Sequence, residues 1–347
     1  MKILYPFSLI YGALSAIDRK TTAEHTLPKP VISIGNITWG GTGKTPVVIK
    51  LTSEIFACGL KPCILSRGYF RKDKKHSFIA VSDGKRILVP PEMSGDEPNL
   101  IAQSVPGAVV MAGRNRLKSA EYALGKFSPD VFILDDGFQH WKISRGLDIV
   151  CVNALNPFGN GLLIPAGILR EPVSALKRAG LVIITSSDLV SEHALKAVET
   201  RIKRNFEGKL LRARYAPKSI KRIFDGQTFA LDELKSGPFT AFSAIGENSG
   251  FKKLLEKSGI NVASQLDFRD HHWYNLEEIR SIGKGRSVIT TTKDAVRLKS
   301  LLEHLPVKEA ENFYALEIEL VFINGDGIWE KGMEKKLRPS STATARL

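Results

Sequence analysis

Residues 31–46 read VISIGNITWGGTGKTP, and the order of residue types in this stretch decides the fold. The apolar run 31–34 is the length and composition of a buried strand. Thr38-Trp39-Gly40-Gly41-Thr42-Gly43-Lys44-Thr45 then matches the phosphate-loop pattern GxxxxGK[ST], except that Thr38 stands where the first glycine belongs. Gly40, Gly41 and Gly43, with Thr42, allow a tight loop whose backbone N–H groups point at phosphate oxygens, backed by the N-terminus of the next helix. Lys44 would reach the β- and γ-phosphates of ATP, and Thr45 would hold Mg²⁺. Pro46 is tolerated in the first helical turn, where its missing N–H is not needed.

Working outward, apolar runs at 63–65, 108–111, 131–134, 149–152 and 181–184 alternate with helix-length segments. Short continuous apolar runs of this kind read as a parallel sheet buried on both faces. The run 131–134 ends in Asp135-Asp136, the Walker-B arrangement that brings a carboxylate to the metal; which of the two touches it stays open. Residues 78–81 and 86–89 around Asp83-Gly84 predict a hairpin. After residue 207 the pattern changes: Leu211, Ala213 and Tyr215 alternate with Arg212 and Arg214, and Leu316, Ile318 and Leu320 alternate with Glu317 and Glu319. Two half-exposed strands that pair with arginines opposite glutamates fit this pattern. The predicted fold is α/β: a P-loop NTPase-like, mostly parallel sheet with helices on both faces, plus a smaller second α/β domain joined by a two-stranded linker. The domain reading is residues 1–20 as an apolar membrane-associating helix, 21–207 as the ATP-binding catalytic domain, 208–222 and 312–323 as the linker, 223–311 as the smaller domain, and 331–347 as a frayed basic tail.

Composition sets bounds on the chemistry. The chain has 347 residues, 43% of them hydrophobic, and a net charge of +14, which excludes a mainly disordered chain. The basicity is patchy. Residues 71–75 carry four basic and one acidic side chain, residues 201–222 nine and one, and residues 331–347 five and one. Cys63 and Cys151 sit in apolar runs and, with Cys58, form no CxxC pair, so they read as reduced core residues of a cytosolic-side protein. Residues 1–17 (MKILYPFSLIYGALSAI) are apolar but interrupted by Pro6 and shorter than the roughly 20 residues that cross a bilayer. Ile3, Phe7, Ile10, Leu14 and Ile17 share one helical face, with Tyr5 and Tyr11 placed for headgroups and Arg19 and Lys20 for anionic lipid. The competing reading packs this face on the core.

Seven short motifs in order resemble the lipid A tetraacyldisaccharide 4'-kinases of Gram-negative bacteria. They are Gly35-Asn36 with the phosphate loop, Ser66-Arg67-Gly68-Tyr69, Gly95-Asp96-Glu97-Pro98, Asp135-Asp136-Gly137-Phe138-Gln139-His140, Pro165-Ala166-Gly167-Ile168-Leu169-Arg170-Glu171-Pro172, Asp270-His271 and residues 290–298. Thr292 departs from the Glu usual in that family before Lys-Asp. The resemblance implies transfer of the γ-phosphate of ATP, with Mg²⁺, to the 4'-hydroxyl of a tetraacyl glucosamine disaccharide 1-phosphate at the cytoplasmic face of the inner membrane. By motif match, Asp96 is the base and His271 supports it, while Lys44 and Arg170 are catalytic. Thr45, Asp135 and Asp136 serve the metal, and Tyr69, Arg116, His140 and Glu171 contact substrate. Read alone, Asp96-Glu97 before Pro98 would be a turn, His271-His272 an exposed pair, and each arginine a structural ion pair.

Two other classes compete. Partitioning or switch ATPases share GGxGKT, but Trp39 occupies the place of their signature lysine. A nucleic-acid-dependent ATPase would explain +14, yet no nucleic-acid module is recognisable. The expected partners are therefore the acylated glycolipid and a membrane surface, with no nucleic acid and no obligate protein partner.

Overall fold

The computed structural model describes residues 4–69, 71, 75–234, 237–325, 327 and 329. Ile3, residues 72–74 of the first basic cluster and the tail 331–347 lie outside them. Helix α1 (Tyr5–Thr21) begins with Pro6 in its first turn and ends with Arg19 and Lys20 in its last, placing cations at the negative end of the helix dipole. It is followed by β1 (Val31–Gly35), α2 (Lys44–Ala57), β2 (Pro62–Ser66), β3 (Phe78–Asp83), α3 (Pro91–Ser94), α4 (Asp96–Ser104), β4 (Val109–Gly113), α5 (Arg116–Phe127), β5 (Val131–Asp135), β6 (Leu147–Asn153), β7 (Leu181–Thr185) and α6 (Glu192–Lys203).

The six apolar runs are strands, and they lie side by side in the order β7-β6-β1-β5-β2-β4, every pair parallel. Successive residues of a strand face opposite sides, so each face buries its own set. Ile32, Ile64 and Ile133 meet Val47 and Leu51 of α2 on one side. On the other, Leu65 and Phe132 meet Ala120 of α5, and Val182 and Ile184 meet Leu195 of α6. Burial on both faces explains why these strands lack polar alternation.

The hairpin forms only in part. Strand β3 runs antiparallel to β4 at the sheet edge, while residues 86–89 return to it through a single bridge, Ser82 to Ile87. Asp83 caps the turn by accepting from the Lys85 and Arg86 amides at 2.8 and 2.9 Å. Ile87 and Leu88 stay exposed, and Pro90-Pro91, which lack N–H donors, end the segment.

The chain continues as β8 (Lys209–Arg222), β9 (Thr228–Phe229), α7 (Leu231–Leu234), β10 (Phe239–Ser243), α8 (Asn248–Lys257), β11 (Val262–Asp267), α9 (Leu276–Gly283), β12 (Ser287–Thr291), α10 (Thr292–Leu302), α11 (Val307–Ala310) and β13 (Phe313–Phe322). Strand β8 is parallel to β7 over its first four residues and then antiparallel to β13, so all the strands join in one 13-stranded sheet. The arginines do not face the glutamates. Arg214 lies opposite Val321 and Glu319 opposite Ala216, on one side of a register shift between Glu317 and Ile318, so the two sets of charges are offset along the strands. The shift falls at Pro217, which has no N–H to donate to the ladder. Arg212 instead pairs with Glu192 and Glu199 of α6 at 3.1 and 2.7 Å. Glu317 accepts from Ser219 Oγ at 2.6 Å and meets Lys221 at 3.9 Å. Part of the basicity of 201–222 is thus locally paired.

Candidate active site

The phosphate loop is braced from three sides. Asn36 Nδ2 donates to Thr42 Oγ1 (2.9 Å), Asn153 Nδ2 to the Gly41 carbonyl (3.0 Å) and Thr185 Oγ1 to the Thr42 carbonyl (3.0 Å). Gly43 caps α2 in the left-handed region at φ 73°. A Cβ there would stand 1.6 Å from the Tyr215 hydroxyl, so no other residue fits. The departure at Thr38 has a local reason: Thr38 is buried and bridges Leu169 antiparallel, and Arg170 N donates to the Ile37 carbonyl at 2.8 Å. That extended backbone needs no glycine. The same bridge brings the segment 165–172 alongside the loop.

The two strand-end aspartates have opposite surroundings. Asp136 turns into the left-handed region at φ 53°. Its carboxylate meets Lys44 Nζ at 3.3 Å and takes both oxygens' bonds from Arg170 at 3.0 and 2.9 Å, while Arg116 donates to its carbonyl at 3.0 Å. Burial opposes its charge, but Lys44, Arg170 and Arg116 outweigh that and hold it well below the usual carboxylate range. Among the described residues, Asp135 accepts a side-chain hydrogen bond from Ser66 Oγ at 2.9 Å. Burial, with the charges of Glu97 and Asp136, pushes it up to about 6. This leaves an uncompensated acidic spot beside Lys44 and the loop.

The second cluster joins distant parts of the chain. Gly95, at φ 89°, sits between α3 and α4, and a Cβ there would stand 2.7 Å from the Tyr69 carbonyl. That turn delivers Asp96 as the first residue of α4, nearly fully buried. His271 Nδ1 lies 3.0 and 3.2 Å from its two carboxylate oxygens, and Arg297 at 3.6 Å. Burial resists ionisation of Asp96; Lys293, the His271 hydrogen bond and Arg297 overcome it and keep the group a carboxylate. His271 is itself held at φ 60°, a backbone conformation that costs of order 1 kcal/mol and clusters at functional sites.

One cavity of about 1180 Å³ connects these parts, lined among others by Lys44, Tyr69, Asp136, Arg170, His271 and Lys293. Gly40, Gly41, Thr42, Gly43 and Thr45 line it too. Asp96 and Asp135 lie just behind the wall, beside its lining residues Glu97 and Asp136. Three predicted substrate contacts are set back from it. Arg116 is buried against Asp136, and Glu171 is held by Gln139 and Arg178, both at 2.9 Å. His140 is kept neutral, lowered to about 3 by burial and by Arg116 and Arg145. Sequence reasoning passed over Lys293, Glu97, Arg297 and Gln139; all four lay inside quoted motifs, but nothing in their spacing marked them. Among the described residues no three His, Cys, Asp or Glu side chains form a metal cluster alone, as expected for Mg²⁺ that takes phosphate and water oxygens as well.

Residues 1–338 match the family described as tetraacyldisaccharide-1-P 4'-kinase. The tetraacyldisaccharide 4'-kinase of Pelobacter propionicus is 34% identical over 334 residues, covering 92% of this chain and 88% of that one. That of Syntrophus aciditrophicus is 37% identical over 315 residues, covering 85% and 84%. Among solved structures, LpxK from Aquifex aeolicus in complex with ATP superposes with a TM-score of 0.75 at 30% identity, covering 96% of this chain and 98% of that one.

Proposed function

The chain belongs to the tetraacyldisaccharide-1-P 4'-kinase family, and from that premise we propose that Asp96 and His271 form the base pair of its phosphoryl transfer. The protein is an ATP-dependent kinase of lipid A biosynthesis that transfers the γ-phosphoryl group to the 4'-hydroxyl of a tetraacyl glucosamine disaccharide 1-phosphate. The observation that carries the site reading is the 3.0 Å contact of His271 Nδ1 with a buried carboxylate whose neighbour, Glu97, lines the same cavity as Lys44.

The Gly40–Gly43 amides and Lys44 would hold the phosphates, with Arg170 beside Lys44 through their shared partner Asp136. Asp135 and Thr45 would hold Mg²⁺, since Asp136 is already committed to two cations and Asp135 carries the unbalanced charge. The metal, when bound, neutralises charge on the transferring group. Asp96 takes the 4'-hydroxyl proton as the new bond from that oxygen to the γ-phosphorus forms and the bond to the β–γ bridging oxygen breaks, releasing ADP, while His271 fixes the orientation of Asp96. A carboxylate with low proton affinity suits a loose transition state, in which the proton leaves late. Arg67 donates to the Tyr69 hydroxyl at 2.9 Å at the cavity rim, where the pair would meet the sugar phosphate. Arg116 and Glu171 act from behind by fixing Asp136 and Gln139, and His140, also set back from the cavity, stays neutral.

Helix α1 supports the membrane reading. It meets the body through Ser8, Tyr11, Gly12 and Ser15, with Ser8 Oγ donating to the Leu163 carbonyl at 2.8 Å and accepting from Ala166 N at 3.0 Å. Phe7, Ile10, Leu14 and Ile17 face away and are 56–61% exposed. No helix among the described residues is long and apolar enough to cross a membrane. Lying on the cytoplasmic face of the inner membrane, this face would bring the cavity, through Tyr11, to the depth of lipid headgroups. Residues 21–207 and 223–311 would act as two lobes that close over the acceptor through the linker strands 208–222 and 312–323.

The test is purified protein with Mg²⁺–ATP and the acylated disaccharide 1-phosphate in detergent. The expected product is the 4'-phosphorylated glycolipid. No such product, with ATP turnover stimulated instead by DNA or a protein, would contradict the reading.

A further inference from the structure

Lys293 occupies the second position of α10, where a cation opposes the helix dipole and gains nothing for its own helix. Its side chain reaches across to α4 and to the segment between β11 and α9. Nζ lies 3.2 Å from Glu97 Oε1, 3.4 Å from Asp270 Oδ1, 3.2 Å from His271 Nε2 and 4.0 Å from Asp96 Oδ2, with the side chain 15% exposed. An ammonium has three N–H donors and accepts nothing. Three acceptors surround it, and one is the imidazole Nε2. That nitrogen must therefore carry a lone pair, which puts the ring proton on Nδ1, directed at Asp96.

We propose that Lys293 is a positioning residue for the transfer: it fixes the His271 tautomer that holds Asp96 and bonds Glu97, so that the pair is assembled only when the two lobes meet. The proposal rests on the reading of Asp96 as base. The charged and titratable groups facing Lys293 are Asp96 and Glu97 on α4, Asp270 and His271 before α9, and Arg297 on its own helix. Lys293 is one of the charges that hold Asp96 ionised, so removing it lets Asp96 bind a proton more readily.

The experiment measures kcat, KM for ATP and the pH profile of kcat for Lys293→Met and Lys293→Arg, with Asp96→Asn as the control and ¹⁵N spectra of labelled histidine. Lys293→Met should lower kcat on the order of 10²-fold, the cost of a misplaced catalytic group, with KM for ATP changed less than about threefold. Its acid limb should move to higher pH by about one unit. His271 should lose its single Nδ1–H tautomer, and Lys293→Arg should restore part of the limb. Wild-type kcat and limb in Lys293→Met would overturn the proposal. So would a fall in kcat together with thermal stability while the limb and tautomer stay put. Failure of the base reading is separate: it shows as an Asp96→Asn enzyme that keeps its kcat.

Discussion

Asp135 and Asp136 are adjacent in sequence, yet three cations surround one and two carboxylates press on the other. For Asp135 the folded state raises the proton affinity from 3.8 to about 6. A raised carboxyl costs the folded state stability as pH rises through the window from about 4 to 6, since the native protein then binds more protons than the unfolded chain. Asp135→Asn should therefore stabilise the metal-free protein at pH 7.5 by on the order of 1–3 kcal/mol and flatten its loss of stability between pH 4 and 6, while transfer falls. Thermal unfolding across pH reads this directly; a lower Tm at pH 7.5 would count against it. That the strand ended in acids was legible from the sequence. Their division of labour was not, because Lys44, Glu97, Arg116 and Arg170 reach them from four separate segments. Lys293 was illegible for a similar reason: at the start of a helix it looks like any solvated lysine until α10 packs on α4.

At the scale of elements, the seating of α10 depends on Asp294, whose partner Arg297 in turn lies 3.6 Å from Asp96 of α4. The Asp294 carboxylate is fully buried, takes bonds from the Tyr274 hydroxyl at 2.9 Å and Thr291 Oγ1 at 2.6 Å, and pairs with Arg297. Removing one partner of a buried pair leaves the other charge uncompensated, so Asp294→Ala should cost about 3–5 kcal/mol in denaturant unfolding. A loss below about 1 kcal/mol would show that the cluster is not what anchors α10. Helix α1 makes the complementary case, an element whose apolar face serves no fold. Replacing Phe7, Ile10, Leu14 and Ile17 by Ser should reduce binding to anionic vesicles at least tenfold, given about 1.5–3 kcal/mol for each such side chain fully buried. Its Tm should hardly change. Unchanged vesicle binding would move the anchor elsewhere. The parallel strands were readable because burial on both faces leaves continuous apolar runs. The pairing of β8 with β13 was readable from alternation, but the partners of its arginines were not, since the register offsets them from the β13 glutamates and the acids of α6 take Arg212.

Across the whole molecule, the two proposed lobes share one sheet through β8 and β13, so the proposed closure of His271 onto the phosphate-loop side would bend continuous strands and not swing a free linker. The net charge of +14 adds long-range attraction to an anionic surface. Vesicle binding should weaken as salt rises to 0.5 M but persist, because the Debye length shortens while the apolar face of α1 is unaffected; complete loss in salt would make the contact purely electrostatic. In the proposed transfer from bound ATP, Asp96 on the phosphate-loop side is the base and His271 reaches it from the smaller lobe. The most direct measurement is kcat together with nucleotide affinity for Asp96→Asn. We predict a kcat lowered at least on the order of 10²-fold with ATP affinity within about threefold of wild type. Equal losses in both, or an unchanged kcat, would contradict it.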